Sequence, residues 1–461
     1  MTGHRVLVIG ADGAGMSAAH QMLRTARDRG RELAVTVLDA GQHTSYSACG
    51  IPYVVSGEVA GIDDLVARTA QEHRAAGIDL RLGSRVTHLD LEAGVATVEG
   101  ADPVEFDEVV VATGASPVMP AWSRGPAGEP VAGVMPAKDL DDAEAWASRF
   151  ADGAGERVVV IGGGYIGVEM AEAALRRGLE VALVTRSRVL STFHPEISAR
   201  VTASLVRAGV EVHLDSEVEG LEVHEGVVTG VRVGSDVLAA HHVVVALGVR
   251  PATDFLAHTD LRQPNGALRP DERGQVAPGV WAAGDCCEVQ ARPVGEWVYV
   301  PLGTHANKLG RVVGENLAGG DLRFPGVLGT AITRFAAGEE YIEIARTGVS
   351  TRNPGNIADT CVSLVTEGTT ITGYMPGAPT ITLLVSADRI TRRLLAVEIV
   401  GGQGAGKRID AAAAVLWAGG TVDDLAWMDL SYAPPVATAW EVLQIAARRV
   451  AELIDHEAAG G

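Results

Sequence analysis

The segment Ser45-Tyr46-Ser47-Ala48-Cys49-Gly50-Ile51-Pro52-Tyr53 is the part of this chain best equipped for chemistry. A cysteine reacts as its thiolate, and Pro52 is tolerated in a first helical turn, so a helix is expected to start here. A position near a helix N-terminus predicts a lowered pKa for Cys49. An internal dithiol of the C-x4-C type needs a second cysteine five places later, where this chain has Val54. The expected chemistry is that of one sulfur, with a thiol from outside as its redox partner. Cys286, Cys287 and Cys361 read as structural: neighbours such as Cys286 and Cys287 are poor disulfide partners, and no metal spacing such as C-x2-C occurs. None of the 13 histidines joins a metal or triad constellation, and His241-His242 reads as a loop-to-strand feature. No metal site is expected.

Two glycine-rich turns flank this segment. The first is Gly10-Ala11-Asp12-Gly13-Ala14-Gly15, in which Asp12 takes the place of the middle glycine of G-x-G-x-x-G. A strand precedes it, a helix follows, and Asp39 ends the next strand, where a carboxylate can accept hydrogen bonds from ribose hydroxyls. The helix start offers free N–H groups to a pyrophosphate. The second turn, Gly162-Gly163-Gly164-Tyr165-Ile166-Gly167, is a full match. Thr185 stands where an NAD site has its acidic residue, and Arg186 and Arg188 follow. Arginine pairs with a 2′-phosphate that a carboxylate would repel, so NADPH is expected, with NADH possible. Two nucleotide sites call for two nucleotides, and a flavin beside a nicotinamide gives hydride a destination. Gly284-Asp285 could hold a flavin's ribityl or phosphate portion.

The elements that position these residues form a repeating pattern. Apolar strands are expected over 5–9, 34–38, 108–114, 157–161, 243–248 and 280–285, with a helix from the first turn to about Ala26. Proline density rises at Pro117, Pro120, Pro126 and Pro130. The second nucleotide unit is a weak repeat of the first. From about residue 326 the character changes: alternating strands at 380–385 and 394–400 precede an alanine-rich helix at 410–418. The expected fold is α/β, with two Rossmann-like nucleotide-binding domains and an α+β C-terminal domain. The boundaries are 1–118 and 250–325 for the first nucleotide domain, 119–249 for the second and 326–461 for the last.

Composition narrows the function classes. The 461 residues are 47% hydrophobic and 21% charged, as in a globular chain that buries a sizeable core. The net charge of −20 argues against broad nucleic-acid binding. No apolar run approaches the roughly 18 residues of a membrane span. Residues 5–9 run straight into a strand without a signal-peptide pattern, and few cysteines fit a reducing compartment, so a cytoplasmic location is expected.

Taken together, these motifs resemble the single-cysteine flavoprotein disulfide reductases, the group of coenzyme A disulfide reductase, NADH oxidase and NADH peroxidase. The markers are Gly10–Gly15, Ser45–Tyr53, Ala112-Thr113-Gly114, Gly162–Gly167 with Glu169, Ala283-Gly284-Asp285 and Tyr432-Ala433-Pro434-Pro435. The resemblance implies FAD in the first site, NAD(P)H in the second, and a C-terminal domain that makes a homodimer. It covers nearly the whole chain. Within the group the coenzyme A disulfide reductase branch looks closest, because Tyr374 and Tyr432 match its two C-terminal tyrosines. Tyr432 by resemblance reaches the partner subunit's cysteine. The peroxidase branch has histidine where this chain has Gly13. No sulfurtransferase-like domain is expected, since nothing follows residue 461. Two departures are Ala48, where the type reductase has asparagine, and Asp39 in place of glutamate.

The resemblance also implies a mechanism. NAD(P)H binds with Tyr165 as a gate, and Glu169 faces the nicotinamide amide or the flavin edge. Electrons pass from flavin to Cys49, which attacks a small-molecule disulfide or persulfide. Coenzyme A is then either substrate or the other half of a mixed disulfide. Tyr374 and Tyr432 donate a proton or hydrogen-bond the sulfur. The alternatives are an NAD(P)H oxidase or a persulfide or polysulfide reductase using the same Cys49, and, in another class, a non-catalytic flavoprotein redox sensor.

Overall fold

The computed structural model describes residues 3–125, 127–349 and 359–460; Pro126, one of the prolines of the expected loop, lies outside them. Ten helices are used below: α1 (Gly13–Asp28), α2 (Ile51–Ser56), α3 (Ala70–Ala75), α4 (Leu140–Asp152), α5 (Tyr165–Arg176), α6 (Pro195–Arg207), α7 (Gly303–Leu317), α8 (Ile409–Ala418), α9 (Val422–Trp427) and α10 (Val442–Gly460).

Strands buried on both faces read as unbroken apolar runs, and the runs in this sequence become the centres of two sheets. The first sheet has six strands in the order Gln275–Ala277, Val280–Ala282, Glu108–Val111, His4–Ile9, Leu33–Leu38 and Asp79–Arg81. It is parallel except at the hairpin of its first two strands. The second sheet is fully parallel, in the order Glu211–His213, Glu180–Val184, Arg157–Ile161, His242–Val245 and Val134–Met135. In both, the strand before the glycine-rich turn is paired on each side, so the turn opens at the carboxyl end of the sheet, where the strand order reverses. The expected strand at 108–114 stops at Val111, and the one at 280–285 stops at Ala282; the residues beyond belong to the turns.

Helix packing joins distant parts of the chain around the first turn. Ala14, Ala18 and Met22 of α1 share a core with Leu309, Val313 and Leu317 of α7. The helix α2 packs against α4 and α5. Trp146 of α4 is fully buried, and its indole N–H donates to the carbonyl of Pro136 at 2.7 Å. Deleting such a ring costs about 3–5 kcal/mol.

The third sheet is antiparallel, in the order Ala331–Ala337, Glu340–Gly348, Leu394–Gly401, Thr380–Asp388 and Cys361–Thr369. Two of its strands were expected to alternate. Instead, all eight residues of Leu394–Gly401 are buried, and seven consecutive residues of Thr380–Asp388 are. The reason is a second cover: α8 and α10 pack on this sheet, and so does α6, which precedes Glu211–His213 of the second nucleotide sheet. The alanine-rich helix at 409–418 forms as expected. Among the described residues no helix is long and apolar enough to cross a membrane, and no cluster of His, Cys, Asp or Glu has the makings of a metal site.

Candidate active site

Gly10 sits at φ 111°, and a Cβ there would drive into the carbonyl of Ala112 at the end of the neighbouring strand. A Cβ on Gly15 would strike the carbonyl of Gly10. Only glycine lets strand, turn and helix close this tightly. The second turn repeats the geometry, with Gly162 against Ala246 and Gly167 against Gly162, while Gly164 faces open space. Asp39 stands at the rim of the first turn: its carboxylate accepts the N–H of Ala11 at 2.6 Å and of Gly41 at 2.7 Å. Gly13 opens α1. Thr113 and Gly114 follow the strand Glu108–Val111, and Gly284 lies against Ala14 with half-buried Asp285 beside it. Burial pushes the Asp285 carboxyl up, and the Lys138 ammonium works against that shift.

Asp12 explains why the middle glycine is missing. Its carboxylate makes no cap bond to α1 but accepts the N–H of Tyr46 at 3.2 Å. Thr44 donates its hydroxyl to the carbonyl of Ala11 at 2.6 Å, and Ser45 donates its N–H to the same carbonyl at 3.2 Å. Thr44 and the first two residues of the cysteine segment are thereby laced to the first turn. Burial raises the Asp12 carboxyl to about 6, against the pull of the bond from Tyr46.

Cys49 lies in a single 3-10 turn, Ala48–Gly50, that leads into α2, with Pro52 in the first helical turn as expected. It is exposed, whereas Cys286 and Cys287 are buried and Cys361 is half-buried. The expectation of a lowered pKa is overturned. Desolvation by the surrounding protein pushes the thiol up, and the carboxylates of Glu169 and Asp285 add to it, with Lys138 opposing. A turn of three residues and a helix of six carry little aligned dipole to set against that desolvation and the acids beside it. Tyr53, four residues on, is pushed up to about 12 by burial and then by Glu169.

Glu169 and Glu172 lie one turn apart on α5, behind the second glycine turn. Glu169 accepts the Thr333 hydroxyl at 2.6 Å, and burial raises its carboxyl to about 7. Glu172 accepts the N–H of Ala336 at 3.0 Å. The guanidinium of Arg334 reaches both Glu58 and Glu172 and covers the ring of Tyr53 at 5.2 Å. Arg176 pairs with Glu58 at 3.0 Å, and Arg177 donates to the carbonyl of Val55 at 2.8 Å near the end of α2. The helix after Cys49 is thus clamped by residues from the second nucleotide unit and the third sheet.

Tyr165 packs edge-on against Phe193, and its buried hydroxyl has no hydrogen-bond partner; its pKa is raised by that burial. Arg186 is exposed and Arg188 half-buried, neither has an ion-pair partner among the described residues, and the buried Nε of Arg188 is unpaired. An open backbone at Gly164, an idle hydroxyl and idle guanidinium donors fit a phosphate-bearing nucleotide at the second turn. The braced Asp39 and the tight Gly10–Gly15 turn fit one at the first. Tyr374 is 72% exposed and Tyr432 51%, and among the described residues no hydrogen bond or ring contact joins either to Cys49. The sequence reading missed Lys138, Arg334, Glu172 and the tethering role of Asp12. Glu172 alone had a signal, as a second acid one turn from Glu169 on a largely apolar helix.

The pyridine nucleotide-disulphide oxidoreductase family matches residues 4–306. Among curated relatives, the NAD(P)H coenzyme A polysulfide/persulfide reductase of Pyrococcus horikoshii is 36% identical, over 96% of this chain and 98% of that protein. The NADH oxidase of Methanocaldococcus jannaschii is 29% identical, over 96% and 98%. Among solved structures, the NAD-dependent persulfide reductase of A. fulgidus superposes with a TM-score of 0.89 at 30% identity, covering 98% of this chain and 84% of that one. Two doubly wound sheets, two glycine turns and a lone exposed thiol between them find their common account here: the chain belongs to the pyridine nucleotide-disulphide oxidoreductases, enzymes of a family that uses FAD and NAD(P)H.

Proposed function

We propose that this enzyme passes electrons from NADPH through Cys49 to a small coenzyme A disulfide or persulfide. The observation that carries the proposal is that Cys49 is the exposed thiol of the four, beside the first glycine turn and with no second cysteine near it in sequence. The flavin supplies the two-electron relay between nicotinamide and sulfur when bound. Gly10, Gly13, Gly15, Asp39, Ala112, Thr113, Gly114, Gly284 and Asp285 would hold it, within residues 1–118 and 250–325. Gly162, Gly164, Tyr165, Gly167, Glu169, Arg186 and Arg188 would hold the nicotinamide nucleotide, within 119–249.

The chain's own chemistry follows from its groups. The Cys49 thiolate attacks one sulfur of the substrate disulfide, the S–S bond breaks, and one thiol leaves while the other stays bonded to Cys49. Two electrons and a proton from NADPH, with one more proton, then release the second thiol and restore Cys49. Because the site holds the thiol above its ordinary pKa, Cys49 gives up its proton only as it attacks; that proton is the one the leaving sulfur takes, and Glu169, near 7, is a group able to carry it. The exposure of Tyr374 and Tyr432 supports a homodimer in which residues 326–461 of one copy deliver these hydroxyls to the Cys49 of the other.

Anaerobic oxidation of NADPH by FAD-loaded protein, with coenzyme A disulfide as sole acceptor, is the test. Two thiols released per NADPH is the expected result. Flavin reduction without turnover, or turnover only with oxygen, would overturn the choice of acceptor in favour of a persulfide or an oxidase.

A further inference from the structure

His73, on α3, is 1% exposed, and both its ring nitrogens are engaged. Nδ1 lies 2.8 Å from Nε2 of His20, and Nε2 lies 2.9 Å from Oγ of Ser45. Arg68 sets the direction of the protons. A guanidinium only donates, and Nη1 of Arg68 is 3.0 Å from the same Nε2 of His20. That nitrogen therefore accepts, His73 donates to it from Nδ1, and Nε2 of His73 keeps its lone pair for the Ser45 hydroxyl. With the proton on Nε2 of His73 instead, two lone pairs would face each other across the 2.8 Å contact with His20. Burial, aided by His20 and Arg68, lowers the imidazole of His73 to about 4, so the neutral ring this chain of bonds requires persists at neutral pH.

Ser45 has a use for such a bond. Its φ is 47°, in the left-handed region that residues with a side chain seldom keep. Its N–H is tied to Ala11 at 3.2 Å, and its carbonyl accepts the N–H of Ala67 at 2.8 Å. The next residues are tied in turn, Tyr46 to Asp12 and Ser47 to the carbonyl of Leu65 at 2.9 Å, and Cys49 follows. A strained residue survives where its surroundings over-determine it, and among the described residues the side-chain share of that task falls to one histidine.

We propose that His73 is a positioning residue for Cys49, acting through Ser45: its acceptor nitrogen holds the serine in the left-handed conformation that aims the cysteine segment. The inference rests on Cys49 being the reacting thiol. Without the bond, Ser45 relaxes toward negative φ and the segment leaves its register with the first glycine turn.

The test uses the FAD-loaded enzyme, coenzyme A disulfide and iodoacetamide. His73→Leu should lower kcat about tenfold with KM for NADPH unchanged, and should change the rate of Cys49 alkylation about fivefold or more. Adding Ser45→Gly to His73→Leu should bring both readouts to within about twofold of the parent enzyme, since glycine keeps a positive φ without help. Should His73→Leu fail to fold, Ser45→Ala gives the same comparison, losing the hydroxyl while keeping the strain. Parent-like kcat and alkylation in His73→Leu or Ser45→Ala, or no rescue by Ser45→Gly, would overturn the proposal. Cys49→Ser separates this from the reading beneath it: turnover retained in that variant would overturn the role of Cys49 itself.

Discussion

Thr333 donates its hydroxyl to Glu169 at 2.6 Å, so the first strand of the C-terminal sheet touches the acid that lies behind the second glycine turn. That acid titrates near neutrality, and its effect on stability has a definite sign. The folded carboxyl, near 7, binds its proton more tightly than the unfolded one at 4.5. Between those values the native state holds more protons, so stability falls as pH rises through the window and then levels off. Glu169→Gln should remove the fall. The expected gain is about 3 kcal/mol at pH 8 and close to nothing at pH 4, read from urea midpoints at the two values. A parallel loss of stability at both would count against it.

The same substitution bears on Cys49. Glu169 is among the carboxylates that hold the thiol up, so Glu169→Gln should move the midpoint of iodoacetamide alkylation to lower pH. Alkylation profiles of the two proteins, overlaid, decide the matter.

Arg334→Met should destabilise the protein by about 2 kcal/mol, because Glu172 is buried and loses the cation that offsets its charge. Double substitution with Glu172→Gln should recover most of that loss. Thermal melts of the three variants show whether the pair is coupled or the losses simply add.

If Arg188 pairs with the 2′-phosphate as proposed, Arg188→Ala should raise KM for NADPH about tenfold and leave KM for NADH within about twofold. Equal changes for both nucleotides would remove Arg188 from the specificity role.

Tyr432 is proposed to serve the cysteine of a second copy. Chains carrying Cys49→Ser and chains carrying Tyr432→Phe should each turn over poorly alone. Mixed in equal amounts after dissociation and reassociation, they should regain about a quarter of the parent activity, because about half of the dimers are hybrids and one site of each hybrid holds an intact pair. No gain on mixing would place Tyr432 with its own chain or outside the chemistry.

Much of this was legible in the sequence where backbone demands leave one solution. Gly10, Gly15, Gly162 and Gly167 were readable because any side chain there collides with a carbonyl. The central strands were readable because sheets covered on both faces need unbroken apolar runs. The C-terminal strands misled on the same ground, since nothing local says that α6 covers their second face. The Cys49 segment was legible as a site, but the direction of its pKa was not. That direction depends first on desolvation by the surrounding protein and then on Glu169 and Asp285, each more than a hundred residues away in sequence and brought close only by the fold. Asp12 looked like a flaw in a motif and proves to be a tether, because its partner, Tyr46, belongs to a different motif.

The clamp on α2 also orders events in time. Glu58 is made early, Arg176 and Glu172 follow, and Arg334 comes 276 residues after Glu58. The helix beside the reactive thiol thus gets its last fastening only when the third sheet has begun to emerge from the ribosome. Both nucleotide sheets can be complete before that moment. For a growing chain, the contact that fastens the helix beside the sulfur is the last of the clamp to become available.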